Sequence, residues 1–252
     1  AGGILERTDK MLSWRVGPVF KPQPNGSIYF AYGTSFNPSA EGLSLANTVT
    51  STNSVNIAPE ESRTFEVGTK WDFLDEQLSL SVAGFRSEKT NARTEDPANT
   101  TDIIVLEGEQ RVDGLELGVA GSVTEKWDVF AAYTFMVSEV VKSNNPLEEG
   151  NELSNTPNNT FSLWTTYDLP LNFQIGGGLQ FVGERYNSTA NMREAAQYVL
   201  GDAMLAYKVN DDITMRLNVN NIGNAEYIDR VGGGHFIPGV GRSAVVSTDF
   251  KF

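Results

Sequence analysis

The chain has 252 residues, no cysteine and a formal net charge of -13 at pH 7. The absence of thiols excludes disulfides, thiolate metal sites and a cysteine nucleophile. The acidic balance argues against nucleic acid as a partner, because phosphates recruit Lys and Arg. Hydrophobic residues make up 40% of the chain, and no run approaches the roughly eighteen apolar residues of a membrane helix, which excludes a helical membrane protein.

Segments with a period of two recur along the whole sequence, and this alternation is typical of β-strands. In SIYFAYGTSF, for example, Ile28 and Phe30 alternate with Tyr29 and Ala31. No comparable period of 3.6 occurs, so we predict an all-β chain. The predicted strands cover residues 11–21, 26–36, 62–73, 77–93, 101–123, 127–140, 159–169, 171–183, 198–209, 213–222 and 242–252.

The links between these eleven strands differ in length on alternate sides. Short links centre on QPN, LDE, TEK, LP and NDD. Alternate links are mostly long and rich in Asn, Ser, Gly, Pro and Glu: 37–61, 141–158, 184–197 and 223–241, with 94–100 brief. An antiparallel meander with tight turns on one side and long loops on the other is how outer-membrane β-barrels are built. Strands 77–93 and 101–123 also exceed the roughly 9–11 residues that cross a bilayer, so we expect them to project beyond it.

The alternation assigns each side chain to one face of the predicted barrel wall. We expect an outward, lipid-facing set: Phe30, Leu117, Phe135, Phe173, Leu179 and Phe250. Glu116 and Arg216 are expected to point inward and to hydrogen-bond within the lumen. Aromatic residues gather near strand ends, where interfacial girdles are expected: Trp14, Trp71, Trp127, Tyr167, Tyr186 and Phe252. The long links should face the outside, and Asp75 and Asp211 should lie in periplasmic turns.

Several blocks of the sequence resemble the C-terminal half of the barrel of TonB-dependent outer-membrane siderophore receptors of the ferrichrome and catecholate type. They are WRVGPVFKPQPNGSIYFAYGTSFNPS (14–39), PEESRTFEVGTKWDFLDEQLSLSVAGFRSEKTNAR (59–93), GEQRVDGLELGVAGSVTEKWDVFAAYTF (108–135), NTPNNTFSLWTTYDL (155–169), NVNNIGNAEY (218–227) and PGVGRSAVVSTDFKF (238–252). The family's PE-x-S-x-x-x-E-x-G-x-K block is similar to Pro59–Lys70, and its N-N-L/I-x-x-x-x-Y block to Asn220–Tyr227.

This resemblance implies a barrel of about 22 strands filled by a plug. It implies uptake of ferric siderophores in the outer membrane of a Gram-negative bacterium, energised by TonB. Residues 1–252 would be the C-terminal part of the barrel domain, with the plug and the first strands absent. The start AGGILERTDK, without Met or a signal peptide, fits a mature product or a fragment.

The implied partners of the chain are a ferric siderophore as transported ligand, TonB through the missing plug, outer-membrane lipid and lipopolysaccharide. The barrel-assembly machinery would bind the C-terminal strand. No resident cofactor and no metal site are expected. An eleven-strand piece would leave 11–21 and 242–252 as edges, so we predict an open sheet that does not close on itself.

Arg and aromatic side chains on the outer loops suit an anionic or aromatic ferric chelate through charge and stacking. The candidate ligand-binding residues are Arg93, Arg185, Tyr186, Arg193, Arg230, His235 and Phe236. Each of them also fits the alternative of an ordinary loop residue.

Two other function classes remain open on the sequence: a plugless passive porin or structural outer-membrane barrel, and a soluble all-β binding domain. An enzyme is not expected. His235 is the one histidine of the chain, and no G-x-S-x-G nucleophile elbow occurs. A histidine beside three glycines is typical of an exposed loop rather than of a catalytic base.

Overall fold

The computed structural model of the protein describes residues 8–37, 58–94, 105–232 and 235–251. Within these ranges, β-strands joined by turns and irregular links make up the fold. The strands are β1 (Arg15–Val16), β2 (Val19–Gln23), β3 (Gly26–Asn37), β4 (Glu60–Phe73), β5 (Leu78–Thr94), β6 (Val105–Thr124), β7 (Trp127–Lys142), β8 (Asn159–Asp168), β9 (Phe173–Val182), β10 (Arg185–Tyr186), β11 (Glu194–Ala195), β12 (Tyr198–Lys208), β13 (Ile213–Asn220), β14 (Ile228–Gly232), β15 (His235–Pro238) and β16 (Ser243–Phe250).

In the ranges given above, no helix is long and apolar enough to cross a membrane.

Twelve of the strands form one sheet in the order β1-β3-β4-β5-β6-β7-β8-β9-β12-β13-β16, with β2 also paired to β3. Every neighbouring pair is antiparallel, so the sheet is a meander in sequence order. Among the described residues β16 pairs with β13 alone, and β1 lies at the opposite edge. The predicted open sheet is therefore confirmed.

The predicted strands are confirmed within the described residues, with two differences in detail; residues 101–104 and Phe252 of the predicted strands lie outside these ranges. The segment 11–21 divides into β1 and β2 at Gly17 and Pro18, because proline has no N–H to donate to a ladder. The links 184–197 and 223–241, predicted as irregular loops, each contain a small hairpin: β10 with β11, and β14 with β15. Loop composition does not exclude such hairpins, since Asn, Gly and Ser are also the residues of tight turns.

Long and short links lie at opposite edges of the sheet, as predicted. The short links are the turns 24–25, 74–77, 125–126, 169–172 and 209–212. The strand ends on the other side, named here the long-loop edge, carry the links 143–158, 183–197 and 221–242. Most of the predicted links 37–61 and 94–100, and residues 233–234, lie outside the described residues. Tight reversal at the short edge uses left-handed backbone even without glycine: Asp75 has φ 56° and Asn172 has φ 62°.

The registers between strands align residues of the same face from β3 to β7. One row runs through Phe30, Val67, Gly84, Leu115 and Phe135 on β3 to β7. The adjacent row on the opposite face runs through Tyr29, Gly68, Ala83, Glu116 and Thr134. One face is therefore apolar and the other polar, which fits a barrel wall between lipid and lumen.

Few side chains are buried in this sheet. The buried apolar residues of the described ranges are small or scattered: Ala83, Ala92, Val140, Ala195, Met204, Ala206 and Val231. Large apolar side chains such as Phe30 and Leu117, each 40% exposed, stand on an open face instead. A sheet without a packed core needs lipid or further protein against its faces, because exposed apolar surface on this scale is unfavourable in water.

Candidate functional site

The candidate site is the long-loop edge, where two small hairpins stand beyond the main sheet. Hairpin β10–β11 carries Arg185, Tyr186 and, just before β11, Arg193. Hairpin β14–β15 carries Arg230, His235 and Phe236. The structure therefore brings six of the seven predicted ligand-binding residues onto two neighbouring structural units.

Arg185 is buried, with 3% of its surface exposed, and joins these two hairpins. Its Nη2 atom donates to the carbonyl oxygens of Ile228 (2.6 Å) and Asp229 (2.8 Å). Its Nε atom donates to Asn155 Oδ1 at 3.2 Å. The guanidinium also lies 5.5 Å from the ring centroid of Tyr198, within cation–π range. All of these contacts are within the protein, so Arg185 organises the edge.

Tyr186 and Arg193 shape the hairpin β10–β11 and remain accessible. Tyr186 pairs with Glu194, and its carbonyl oxygen accepts from the Asn155 amide at 2.8 Å. Arg193 is exposed, and its carbonyl accepts from the Asn187 amide at 3.0 Å. The ring of Tyr186 and the guanidinium of Arg193 stay predicted ligand contacts.

Arg230, His235 and Phe236 are exposed on hairpin β14–β15, which pairs Val231 with Phe236. Phe236 has 63% of its surface exposed and lines a cavity of about 580 Å³, together with Gln197 and Tyr227. A guanidinium, an imidazole and a phenyl ring on one hairpin offer the charge and stacking that a chelate would use. Their role in binding stays a prediction.

Arg93 belongs to a different part of the edge. It lies near the end of β5, where its backbone pairs with Leu106 of β6. Its side chain is outside the described residues, so its predicted contact with ligand stays a prediction.

Sequence reasoning missed Asn155, Tyr198 and Tyr227. Asn155 adopts a left-handed backbone with φ 54° and contacts both hairpins. The rings of Tyr198 and Tyr227 are 4.5 Å apart between centroids. An Asn in a loop is a weak signal for Asn155, since Asn tolerates the left-handed conformation better than most other residues.

The Asn220–Tyr227 block stabilises the start of the link 221–242 through hydrogen bonds of Asn221. Asn221 is buried, and its Nδ2 atom donates to the carbonyls of Ala225 (2.9 Å) and Val240 (3.2 Å). Its backbone amide donates to Asp202 Oδ1 at 2.7 Å. A local side-chain amide thus replaces strand pairing where the chain leaves β13, and it fixes the base of the link that carries β14 and β15.

Acidic groups crowd the hairpin β10–β11. The charge of Glu184 is the main cause that raises the pKa of the Glu194 carboxyl, followed by desolvation, a hydrogen bond with Glu184 and the charge of Glu152. In the ranges that the structure describes, no group of three or more His, Cys, Asp or Glu side chains is arranged to hold a metal ion.

On the polar face, Arg216 is half-exposed and lies 3.8 Å from Asp249 of β16, and Glu116 lines a shallow depression with Lys70. Tyr29 donates its hydroxyl to Glu66 at 2.6 Å. These contacts link neighbouring strands of the wall.

Comparison with known proteins gives one consistent match. The family model described as TonB dependent receptor-like, beta-barrel matches residues 3–222. A protein of Acinetobacter baumannii named "Probable TonB-dependent siderophore receptor PiuA" is 37% identical over 100% of this chain and 35% of its own length. The "Probable TonB-dependent receptor BfrD" of Bordetella pertussis is 34% identical over 98% of this chain and 34% of its own length.

The solved structures agree with the sequence relatives. The crystal structure of the siderophore receptor PiuA superposes on 95% of this chain and 36% of that protein with a TM-score of 0.86 at 37% identity. The chain thus spans about a third of the length of the curated relatives it matches.

Proposed function

Because the chain belongs to the TonB-dependent receptor β-barrel family, and hence to the outer-membrane proteins of Gram-negative bacteria, we propose that it contributes to the uptake of ferric siderophores. In this proposal residues 1–252 are the C-terminal part of the barrel domain, completed by a plug and further strands. TonB supplies the energy through the plug, and the outer loops capture the chelate.

One observation carries the proposal to this chain's own residues. Hairpins β10–β11 and β14–β15 stand together at the long-loop edge and expose Arg193, Arg230, His235 and Phe236. The name of PiuA, which is 37% identical over the whole chain, supports a siderophore as the ligand class. Charge-assisted hydrogen bonds from Arg and stacking on Phe suit a compact, oxygen-rich chelate.

The outward face supports the membrane partners. On β4 the outward positions from Phe73 to Phe65 are eight residue steps apart, about 27 Å at ~3.4 Å per residue. This length is comparable with the apolar band of about 25 Å in such barrels. Above it, toward the long-loop edge, Arg63 pairs with Glu88 at 2.6 Å and begins a row of ion pairs.

The row continues with Arg86–Asp113 at 2.6 Å and Arg111–Glu139 at 2.5 Å. We propose that this row lies at the level of the lipopolysaccharide headgroups. Binding of the barrel-assembly machinery at β16 is part of the same proposal, because β16 is an edge strand of the described sheet.

No catalytic step is part of the proposal. His235 is exposed on a hairpin strand, and the described residues hold no cluster of metal-ligating side chains around it. The relatives are receptors by name, and an imidazole on an exposed hairpin serves binding as well as any other polar side chain.

Binding of ferric siderophores to the full-length receptor tests the proposal. We expect tight binding of at least one complex from a panel of catecholate, hydroxamate and mixed ferric siderophores, measured by fluorescence quenching in detergent. The double variant Arg230→Ala, Phe236→Ala should weaken it at least about tenfold, the equivalent of ~1.4 kcal/mol. Lys21→Ala, an exposed cation at the opposite end of the sheet, is the matched control. Equal affinities of the double variant and the control would contradict the assignment of this site.

A further inference from the structure

Three links of the long-loop edge are tied together by side chains that no strand ladder requires. They are the links 143–158, 183–197 and 221–242. Each begins and ends on a different pair of strands, so the backbone alone leaves them independent. Their mutual contacts therefore decide whether they behave as three loops or as one unit.

The first tie is Asn155. Its Oδ1 atom accepts from Arg185 Nε at 3.2 Å and from the Val231 amide at 3.4 Å. Both partners are donors, which fixes the orientation of the side-chain amide and makes Asn155 an acceptor toward two links at once. The backbone N–H of Asn155 in turn donates to the Tyr186 carbonyl at 2.8 Å.

The second tie is Arg185. Its Nη2 atom reaches two successive carbonyl oxygens of β14, at Ile228 and Asp229, while the guanidinium is covered by Tyr198. A planar fork with several fixed donors is specific to arginine, and a lysine ammonium cannot reproduce it. The side chain is buried, so its Nη2 donor bonds to these protein carbonyls rather than to water.

The third tie joins the first two links without Arg185. Asn191 accepts from the Glu152 amide at 2.7 Å and donates to the Glu152 carbonyl at 3.0 Å, as a neighbouring strand would. Asn151 Nδ2 donates to the Thr189 carbonyl at 2.8 Å. Links 143–158 and 183–197 are thus held to each other independently.

These ties matter because the hairpins are short. The ladder of β10–β11 has two residue pairs, Arg185 with Ala195 and Tyr186 with Glu194. A hairpin of this size is not stable on its own in water. Its position relative to β14–β15 must come from the side chains between them.

We propose that Asn155 and Arg185 are positioning residues that join the three links into one rigid unit, so that Arg230, His235 and Phe236 are held against hairpin β10–β11. A ligand that contacts one hairpin then acts on all three links. The effect on ligand affinity rests on the proposed function, whereas the rigid unit itself does not. Arg185, predicted as a ligand contact, acts in this account through the hairpins that it joins.

Variants at Asn155 in the full-length receptor distinguish the effect of losing the Oδ1 acceptor from the effect of changing the backbone conformation. Asn155→Gly removes Oδ1 and tolerates the left-handed backbone, while Asn155→Asp keeps an acceptor in the same place. Arg185→Lys tests the second tie. Thr156→Ala is the control, because the Thr156 hydroxyl bonds to the Ser154 carbonyl within the same link.

Amide hydrogen exchange of residues 228–232 is the first measurement. We expect about tenfold faster exchange in Asn155→Gly and Arg185→Lys, since the hairpin opens more readily, and wild-type exchange in Asn155→Asp and Thr156→Ala. Amides of β9 should be unchanged in every variant, which shows an intact barrel. Wild-type exchange at 228–232 in Asn155→Gly, or equally fast exchange in Asn155→Asp, would overturn the rigid unit.

Affinity for a ferric siderophore bound by the wild type is the second measurement. We expect about tenfold weaker binding in Asn155→Gly, because part of the binding free energy must then be used to order the hairpins. Asn155→Asp should bind with wild-type affinity. Faster exchange with unchanged affinity would overturn the positioning role. If the wild type binds no siderophore of the panel, the proposed function fails, and the exchange result still decides the rigid unit.

Discussion

The ring of Tyr29 lies over Gly68, its partner on the neighbouring strand, on the polar face of the sheet. A Cβ atom added at Gly68 would stand 2.5 Å from that ring. The ring position also allows the Tyr29 hydroxyl to donate to Glu66 at 2.6 Å. A glycine in the middle of β4 thus gives room to an aromatic side chain that links β3 to β4.

Gly68→Ala should therefore destabilise the full-length receptor by about 1–3 kcal/mol, because the ring must move and its hydrogen bond to Glu66 is lost. Denaturant unfolding in detergent measures this. Gly84→Ala is the matched control on β5, since its added Cβ would meet its nearest atom, the Gly114 carbonyl oxygen, at 3.9 Å. A loss of stability as large in Gly84→Ala would show that the ring contact is not the cause.

A charge on the outward face should cost far more than one on the inward face at the same height. Leu117 pairs with Tyr133, and the next position, Thr134, points to the opposite face. Leu117→Lys should lower the free energy of unfolding in lipid bilayers by about 2–4 kcal/mol, as expected near the membrane centre. Thr134→Lys should cost much less. Equal costs would contradict the assignment of faces.

The long-loop edge and the opposite strand ends, which carry the short turns, should lie on opposite sides of the outer membrane. Leu147, 85% exposed in link 143–158, and Asp211, in the turn 209–212, are suitable positions for single cysteines, since this chain has none. A membrane-impermeant maleimide added to intact cells should label Leu147→Cys and leave Asp211→Cys unlabelled until the cells are lysed. The reverse pattern would invert the topology.

Hairpin β10–β11 should become more stable as the pH falls. The folded hairpin raises the pKa of Glu194, chiefly through the charge of Glu184, so it binds a proton more readily than an opened hairpin does. Its stability therefore increases as the pH drops through the folded pKa, and the repulsion is fully present at neutral pH. Glu184→Gln removes the main cause of the shift.

The ratio of amide exchange rates at residues 193–195 between wild type and Glu184→Gln, taken at the same pH, measures this effect. It should exceed one at neutral pH and approach one in acid. A ratio that does not change with pH would show that the two carboxyls are not coupled.

The fold of the wall was predictable from the sequence because period-two alternation is a local property. The strand predicted at 26–36 is β3 (Gly26–Asn37), and the one predicted at 213–222 is β13 (Ile213–Asn220). The register then follows from tight turns, which is why Phe30 on β3 and Leu115 on β6 lie in one row, three strands apart. The interruption between β1 and β2 at Pro18 could not be predicted in this way, because it depends on which backbone amides donate hydrogen bonds to the neighbouring strand.

The site was predictable only in part, because its contacts are long-range. Arg185 was correctly placed in a long link, but its partners Asn155 and Ile228 are 30 and 43 residues away. The sequence alone does not distinguish a buried arginine that binds backbone carbonyls from an exposed arginine that binds a ligand. Burial and partners, which only the folded chain provides, distinguish the two.

Uptake of a radiolabelled ferric siderophore by intact cells tests directly whether the full-length protein imports ferric siderophores with energy from TonB. Cells whose receptor for that siderophore is the full-length protein should show saturable uptake that is abolished when TonB is deleted. A receptor in which links 143–158 and 221–242 are each replaced by a short turn should remain in the outer membrane and lose uptake. Uptake that persists without TonB, or that does not saturate, would contradict the account and indicate a passive pore.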